Sequence, residues 1–172
     1  MNKDVLFSEK QRFQQWWLWL VLFIVNGALL GIALSKWYNN IFNHKPINKV
    51  DLSVIIFSII LAVFITLLAK IICLETYIKK DGVYIRFFPF HIKFKFYGWH
   101  ILSKVYIREY APLLEYGGWG IRWNLWGKGM AYNIRGTQGL QLEFTTKSKL
   151  LIGTQKPEEI SLVLNKIGKL KS

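Results

Sequence analysis

A chain of 172 residues with 52% hydrophobic side chains and a formal net charge of +13 is too apolar for an intrinsically disordered segment, and its one cysteine excludes an internal disulfide framework. Two long uncharged runs lie before about residue 74, and a buried helix pair of that length would need far more surrounding protein than the rest of the chain supplies. Composition therefore points to a small basic domain held to a membrane, a membrane-anchored α+β protein.

The first run has no charge between Arg12 and Lys36. As a helix, Trp16 to Ser35 would be about 30 Å long, the thickness of the hydrocarbon layer. Trp16, Trp17 and Trp19 mark one interface, and Trp37, Tyr38 and Phe42 mark the other. The run exceeds the core of a cleaved signal, so the reading is a retained helix over about 14–36. A polar connection from Lys36 to Asp51, broken by Pro46, leads to a second helix over about 51–74, with Lys70 snorkelling. Residues 1–74 are thus expected to be a tail and a transmembrane helical hairpin.

Small residues recur every fourth position in both helices, as Gly27, Gly31 and Ser35 and as Ser58, Ala62 and Thr66. The expected use of these stripes is to pack the hairpin against itself; a dimer face through Gly27 and Gly31 is the alternative, and an oligomer is possible without being predicted. Asn26 can hydrogen-bond across the pair. Basic residues tie between the leading tail (Lys3, Lys10, Arg12) and the connection (Lys36, Lys45, Lys49), but Lys70, Lys79 and Lys80 add positive charge on the side shared by both termini. That places both termini in the cytoplasm.

From Glu75 to Ser172 the periodicity becomes that of a sheet, and most of the net positive charge lies here. Residues 75–80 and 83–88 read as strands joined by a type I′ turn at Asp81-Gly82. Ile92, Phe94 and Phe96, alternating with Lys93, Lys95 and Tyr97, predict a half-buried strand, and 105–110 predict another. Glycines then punctuate short strands at 121–123, 131–134, 140–144 and 150–152. Pro157, Glu158 and Glu159 open an amphipathic helix over about 157–169, with Ile160, Val163, Leu164 and Ile167 on its apolar stripe. Seven or eight strands and a closing helix suggest a sandwich or a partly open barrel.

This order, with YGGWGIR at Tyr116 to Arg122 and LLIGTQKPEE at Leu150 to Glu159, resembles an uncharacterised family of two-helix bacterial membrane proteins with a pleckstrin-homology (PH)-like domain. The resemblance covers nearly the whole chain and implies that the hairpin lies in the inner membrane of a bacterium. It implies a fold of two packed antiparallel sheets capped by the helix, with no established activity. A lipid site like that of the best-known PH domains would use basic residues around the first hairpin, where Lys79, Lys80 and Arg86 fall, with Lys93 and Lys95 beyond. Tyr84 stands where a further basic residue would help.

A second candidate surface combines Trp119, Trp123 and Trp126 with Arg122 and Lys128, a pairing of rings and cations that suits a membrane interface. At least one of Trp119 and Trp123 is expected to be buried. His44, His91 and His100 have no metal-ligand spacing, no phosphate loop occurs, and no acid-base constellation emerges, so neither a cofactor nor catalysis is expected. Anchoring makes anionic lipid a nearer polyanion than nucleic acid. The expected function is a non-enzymatic binding or scaffolding module that contacts anionic headgroups or a membrane-protein partner. The alternative is an accessory subunit of a membrane complex that uses a sheet edge or groove, with no role for lipid.

Overall fold

The computed structural model describes residues 4–42, 48–124 and 129–170. These form two compact units, one drawn from the chain up to Arg12 together with the chain from Ile72 onward, the other spanning Phe13–Ile71. The expected boundary at residue 74 is thus displaced. Residues 4–12 belong with the sheets rather than with the helices.

The helical unit consists of α1 (Trp16–Phe42) and α2 (Lys49–Ile71), both long and apolar enough to cross a membrane. Helix α1 runs past its expected end at Lys36 because the polar residues there serve the helix pair. The Asn40 amide donates to the Lys36 carbonyl at 2.9 Å and to Asp51 at 3.3 Å, and the Lys36 ammonium meets Asp51 at 3.1 Å. The start of α2 is capped by Asn48, whose side-chain oxygen accepts from the Asp51 N–H at 2.7 Å. At its other end, α2 stops at Ile71 because the chain turns into a strand at Cys73.

Ser58 and Ala62 are buried between the helices, and Asn26 donates to the Thr66 hydroxyl at 2.8 Å. The α2 stripe therefore packs the pair as expected. The α1 stripe does not: a Cβ added at Gly27 or Gly31 would meet nothing within 4 Å, and exposed Ser35 bonds back to the Ile32 carbonyl. Helix α1 turns its Asn26, Ala33 and Asn40 face inward instead. The cause is polar demand, since an amide on an apolar helix needs a partner and glycine does not.

The sheet unit is a sandwich. Its first sheet joins β1 (Val5–Arg12), β2 (Cys73–Lys79), β3 (Gly82–Phe88) and β4 (Lys95–Gly98) in that order, all antiparallel. The chain continues through β5 (Leu102–Glu109), α3 (Pro112–Tyr116), β6 (Gly120–Asn124), β7 (Gly129–Asn133), β8 (Gln138–Phe144) and β9 (Lys149–Gly153). These five strands form the second sheet in the order β5-β8-β9-β7-β6. Its β7–β9 pair is parallel, so the expected all-antiparallel sandwich is a mixed one. Helix α4 (Pro157–Lys166) packs on β1, β5 and β8 and buries Ile160 and Leu164, each stabilising by about 2 kcal/mol. It ends earlier than expected because Gly168 adopts φ 66°, and the Lys169 N–H closes on the Leu164 carbonyl at 2.9 Å.

Strand β1 has no counterpart in the sequence reading, and its inward side explains why. Phe7, Glu9 and Gln11 are the buried positions, so two of three inward residues are polar and the apolar alternation never appears. Specific bonds replace hydrophobic burial. Glu9 accepts from the Thr154 hydroxyl at 2.6 Å and from the Gln155 N–H at 2.8 Å, while Gln11 donates to the Gly153 carbonyl at 2.7 Å. These contacts fasten β1 to the segment between β9 and α4.

Two further expectations are corrected. Neither Asp81 nor Gly82 takes a positive φ, so no type I′ turn forms; Ile78 pairs with Val83 across a four-residue turn tied down by the Trp99 indole N–H on the Lys80 carbonyl at 3.0 Å. Glycine is needed at 82 for space, since a Cβ there would collide with the Tyr97 carbonyl oxygen of β4. The strand expected from Ile92 begins only at Lys95, and its faces are reversed. Lys95 and Tyr97 pair with inward Ile85 and Val83, whereas Ile92 and Phe96 are exposed. Aromatic residues on both faces had masked the register. Between the sheets, Phe87 meets Tyr132 at 6.3 Å and Tyr97 meets Phe144 at 5.4 Å.

Candidate functional site: an aromatic and basic face on the first sheet

Alternation places Ser8, Lys10, Glu75, Tyr77, Lys79, Tyr84, Arg86 and Phe96 on the outer face of the first sheet. The antiparallel register aligns them in rows across the strands. One row runs Ser8, Tyr77, Tyr84, Phe96, and the next runs Lys10, Glu75, Arg86. The loop between β3 and β4 folds back over this face and brings Phe94 to 5.3 Å from Tyr77, ring to ring. Tyr84 and Phe96 lie 4.7 Å apart. Cations cover these rings, with the Lys79 ammonium 4.7 Å from the Tyr84 centroid and the Arg86 guanidinium 4.6 Å from Phe94.

Beside the rings lies a groove of about 650 Å³ bounded by Val5–Ser8 of β1 and by Tyr77, Lys79, Tyr84 and Phe94. The next row of the same face is an ionic cluster. Glu75 is buried between Lys10 at 2.6 Å and Arg86, which donates through Nη2 at 2.5 Å and Nε at 2.9 Å. Burial pushes the Glu75 carboxyl up, but the bonds from Lys10 and Arg86 outweigh it and hold the group below the usual carboxylate range. The Lys10 ammonium is raised by its bond to Glu75.

A carboxyl whose pKa falls on folding contributes stability above its unfolded value and loses it as pH drops through the folded value. Glu75→Gln is therefore expected to cost about 2 kcal/mol at neutral pH, because two cations lose their shared partner. Urea midpoints of the sheet unit measured against pH check this: the gap between wild type and variant is widest near neutrality and narrows as the solution is acidified below the carboxylate range.

The structure distributes the sequence-predicted residues over separate places. Lys79 and Arg86 stand on the aromatic face, and exposed Lys80 lies in the turn beyond them. Lys93 is exposed in the β3–β4 loop, at the opposite end of the sheet. Lys95 is exposed at the start of edge strand β4, and its ammonium reaches in to donate to the Tyr132 hydroxyl at 3.1 Å. Trp119 and Arg122 belong to the second sheet's edge, where the Arg122 Nε donates to the Trp119 carbonyl at 3.0 Å. Trp119 is half-buried and Trp123 is 73% exposed, so neither ring is the core residue expected of that pair. An edge strand leaves Trp123 without a neighbouring strand to cover it. Trp126 and Lys128 lie outside the described residues.

A second groove of about 650 Å³ runs past Tyr97, Trp123, Met130 and Phe144, with Lys147 and Lys149 at its side. Burial pushes the Tyr97 hydroxyl up to about 12, so it stays a neutral donor there. The residues that sequence reasoning missed are Lys10, Glu75, Tyr77, Tyr84 and the Val5–Ser8 wall. The β2–β3 pairing sets Glu75 beside Arg86 and Tyr77 beside Tyr84, but only the pairing of β1 with β2 adds Lys10 and the Val5–Ser8 wall, and the helical hairpin separates those strands in sequence. Compared with protein-family models, with curated proteins and with solved structures, the chain matches none.

Proposed function

We propose that the protein is a non-enzymatic binding module of PH-like type, anchored in the bacterial inner membrane with both termini cytoplasmic, that holds a segment of a membrane-protein partner in the groove of its first sheet. The PH-like reading is supported by the strand series: β1 to β4, then β5, β8 and β9, make seven antiparallel strands closed by α4. Two additions interrupt it, the apolar helices between β1 and β2 and the α3-β6-β7 segment between β5 and β8. The anchoring reading is supported by the two helices that are long and apolar enough to span.

The observation that carries the choice of partner is the pairing of Arg12 with Cys73. The chain leaves the first sheet and returns to it at one end, while the groove begins about 13 Å away along β2 at Tyr77 and reaches Lys79 at about 20 Å. A groove at that distance suits an extended segment of another protein better than the headgroups of the leaflet that anchors the chain. Its rings favour apolar side chains, and Lys79 with Lys80 favours acidic ones.

The test is photocrosslinking from a benzophenone side chain at Phe96 in the full-length protein in its own membrane. The expected result is a discrete protein adduct that is lost when Lys79→Glu is added. Adducts with lipid alone, or none at all, overturn this reading.

A further inference from the structure

We infer that the sheet unit carries a bilayer-contacting rim made of Phe90, Ile92, Leu113 and Leu114. The inference rests on the anchoring reading above, extending it from the helices to the domain. These four side chains are 63%, 78%, 64% and 91% exposed. They come from two segments that register brings to the same end of the sandwich.

The cross-strand partner of Arg12 is Cys73, and that of Cys73 is Phe88, so the β3–β4 loop with Phe90 and Ile92 leaves the sheet where β1 ends and β2 begins. On the second sheet, Glu109 pairs with Gln138 and Gly139 pairs with Gly153, whose carbonyl accepts from Gln11. Helix α3, which follows Glu109, therefore starts at this same end.

The exposure is built in. Pro112 and Tyr116 are buried and fix α3, Arg108 holds Glu115 at 3.0 Å, and the Glu115 carboxylate accepts from the Ala111 N–H at 3.0 Å. Between those anchors Leu113 and Leu114 have only the outward side. In the other loop, the His91 N–H closes on the Phe87 carbonyl at 2.8 Å and the His91 ring stands 5.3 Å from Tyr132, while Phe90 and Ile92 on either side of it project away. Burial of that imidazole lowers its pKa, keeping it neutral beside an apolar phase.

The occupant follows from the covalent chain. A single residue, Ile72, separates α2 from β2, and three residues separate β1 from α1. Since consecutive Cα atoms are about 3.8 Å apart, Arg12 can be no more than roughly 15 Å from Trp16 and Cys73 no more than roughly 8 Å from Ile71, so the end of the sandwich that bears the rim is the end tied by short links to both helices. Exposed Arg12 and Lys93 sit beside the apolar side chains and supply the cations that suit anionic headgroups.

The test uses full-length protein in lipid nanodiscs, in a Cys73→Ala background, with an environment-sensitive fluorophore at Ile92→Cys, Leu114→Cys, Phe23→Cys or Ser103→Cys. Nitroxide lipids labelled near the headgroup are expected to quench positions 92 and 114 with a blue-shifted emission, and those labelled near the chain end to quench position 23. Position 103, at the far end of the sandwich, should respond to neither. If 92 and 114 behave like 103 while 23 is quenched, the rim does not meet lipid and anchoring stands. If 23 also escapes quenching, the anchoring reading fails and this inference with it.

Discussion

A chain beginning at Glu75 will not fold, although it holds eight of the nine described strands almost whole and the closing helix. Such a truncation removes β1 and the first two residues of β2, so buried Phe7 and Leu74 are lost. Each deletion of a large core side chain costs about 3 kcal/mol. The Thr154 hydroxyl and the Gln155 N–H lose their Glu9 acceptor, and the Gly153 carbonyl loses Gln11, at about 1–3 kcal/mol for each buried group left unmade. Together these losses reach about 10 kcal/mol, comparable with the whole stability of a domain this size, roughly 5–15 kcal/mol. The β2 edge and the inner face under Ile78 would then open to solvent. Circular dichroism and amide dispersion of residues 75–172 are expected to show a collapsed, non-cooperative chain.

The second large effect is at Glu9. Glu9→Ala leaves β1 in sequence but takes away the acceptor for two donors at the entry to α4, and Thr154 is itself needed there, because its hydroxyl accepts from the Lys156 N–H at 2.9 Å. A loss of about 3 kcal/mol is expected, with α4 and β1 losing hydrogen-exchange protection together. Glu9→Gln keeps one carbonyl oxygen and should cost about 1 kcal/mol. If alanine and glutamine lower the urea midpoint equally, the carboxylate does not hold this junction.

Glu9 also shows where sequence reading stops. The two helices were legible because an uncharged run of their length has few other uses, β2, β3, β5 and α4 were legible from alternation or an apolar stripe, and β6 to β9 from the glycines and turn residues that bound them. Those signals measure the burial of apolar side chains or the residues that turns require. Strand β1 is held by a carboxylate and an amide facing inward, so its pattern reads as polar tail. The site was hidden for a related reason: Lys79 and Arg86 are visible as basic residues near a hairpin, but their partner Glu75 is completed by Lys10, which lies on the far side of both helices in sequence. Local periodicity holds no information about that pairing. At β4, aromatic residues on both faces made the exposed set look like the buried one.

The same pairing gives the apolar helices their place: they are an insertion in the first hairpin of a sheet domain, and both connections to them leave from one end of it. Arg12 and Cys73 are cross-strand partners, so residues 13–72 can be replaced by a two-residue Asn-Gly turn, the shortest connection that suits an antiparallel pair. The most direct test is the amide spectrum and hydrogen exchange of that shortened chain in water, recorded beside residues 75–172. The expected result is a dispersed spectrum with protected amides in β1 and one cooperative unfolding transition, against a collapsed spectrum for the truncated chain. A shortened chain that aggregates, or a truncated one that is equally well folded, would contradict the account.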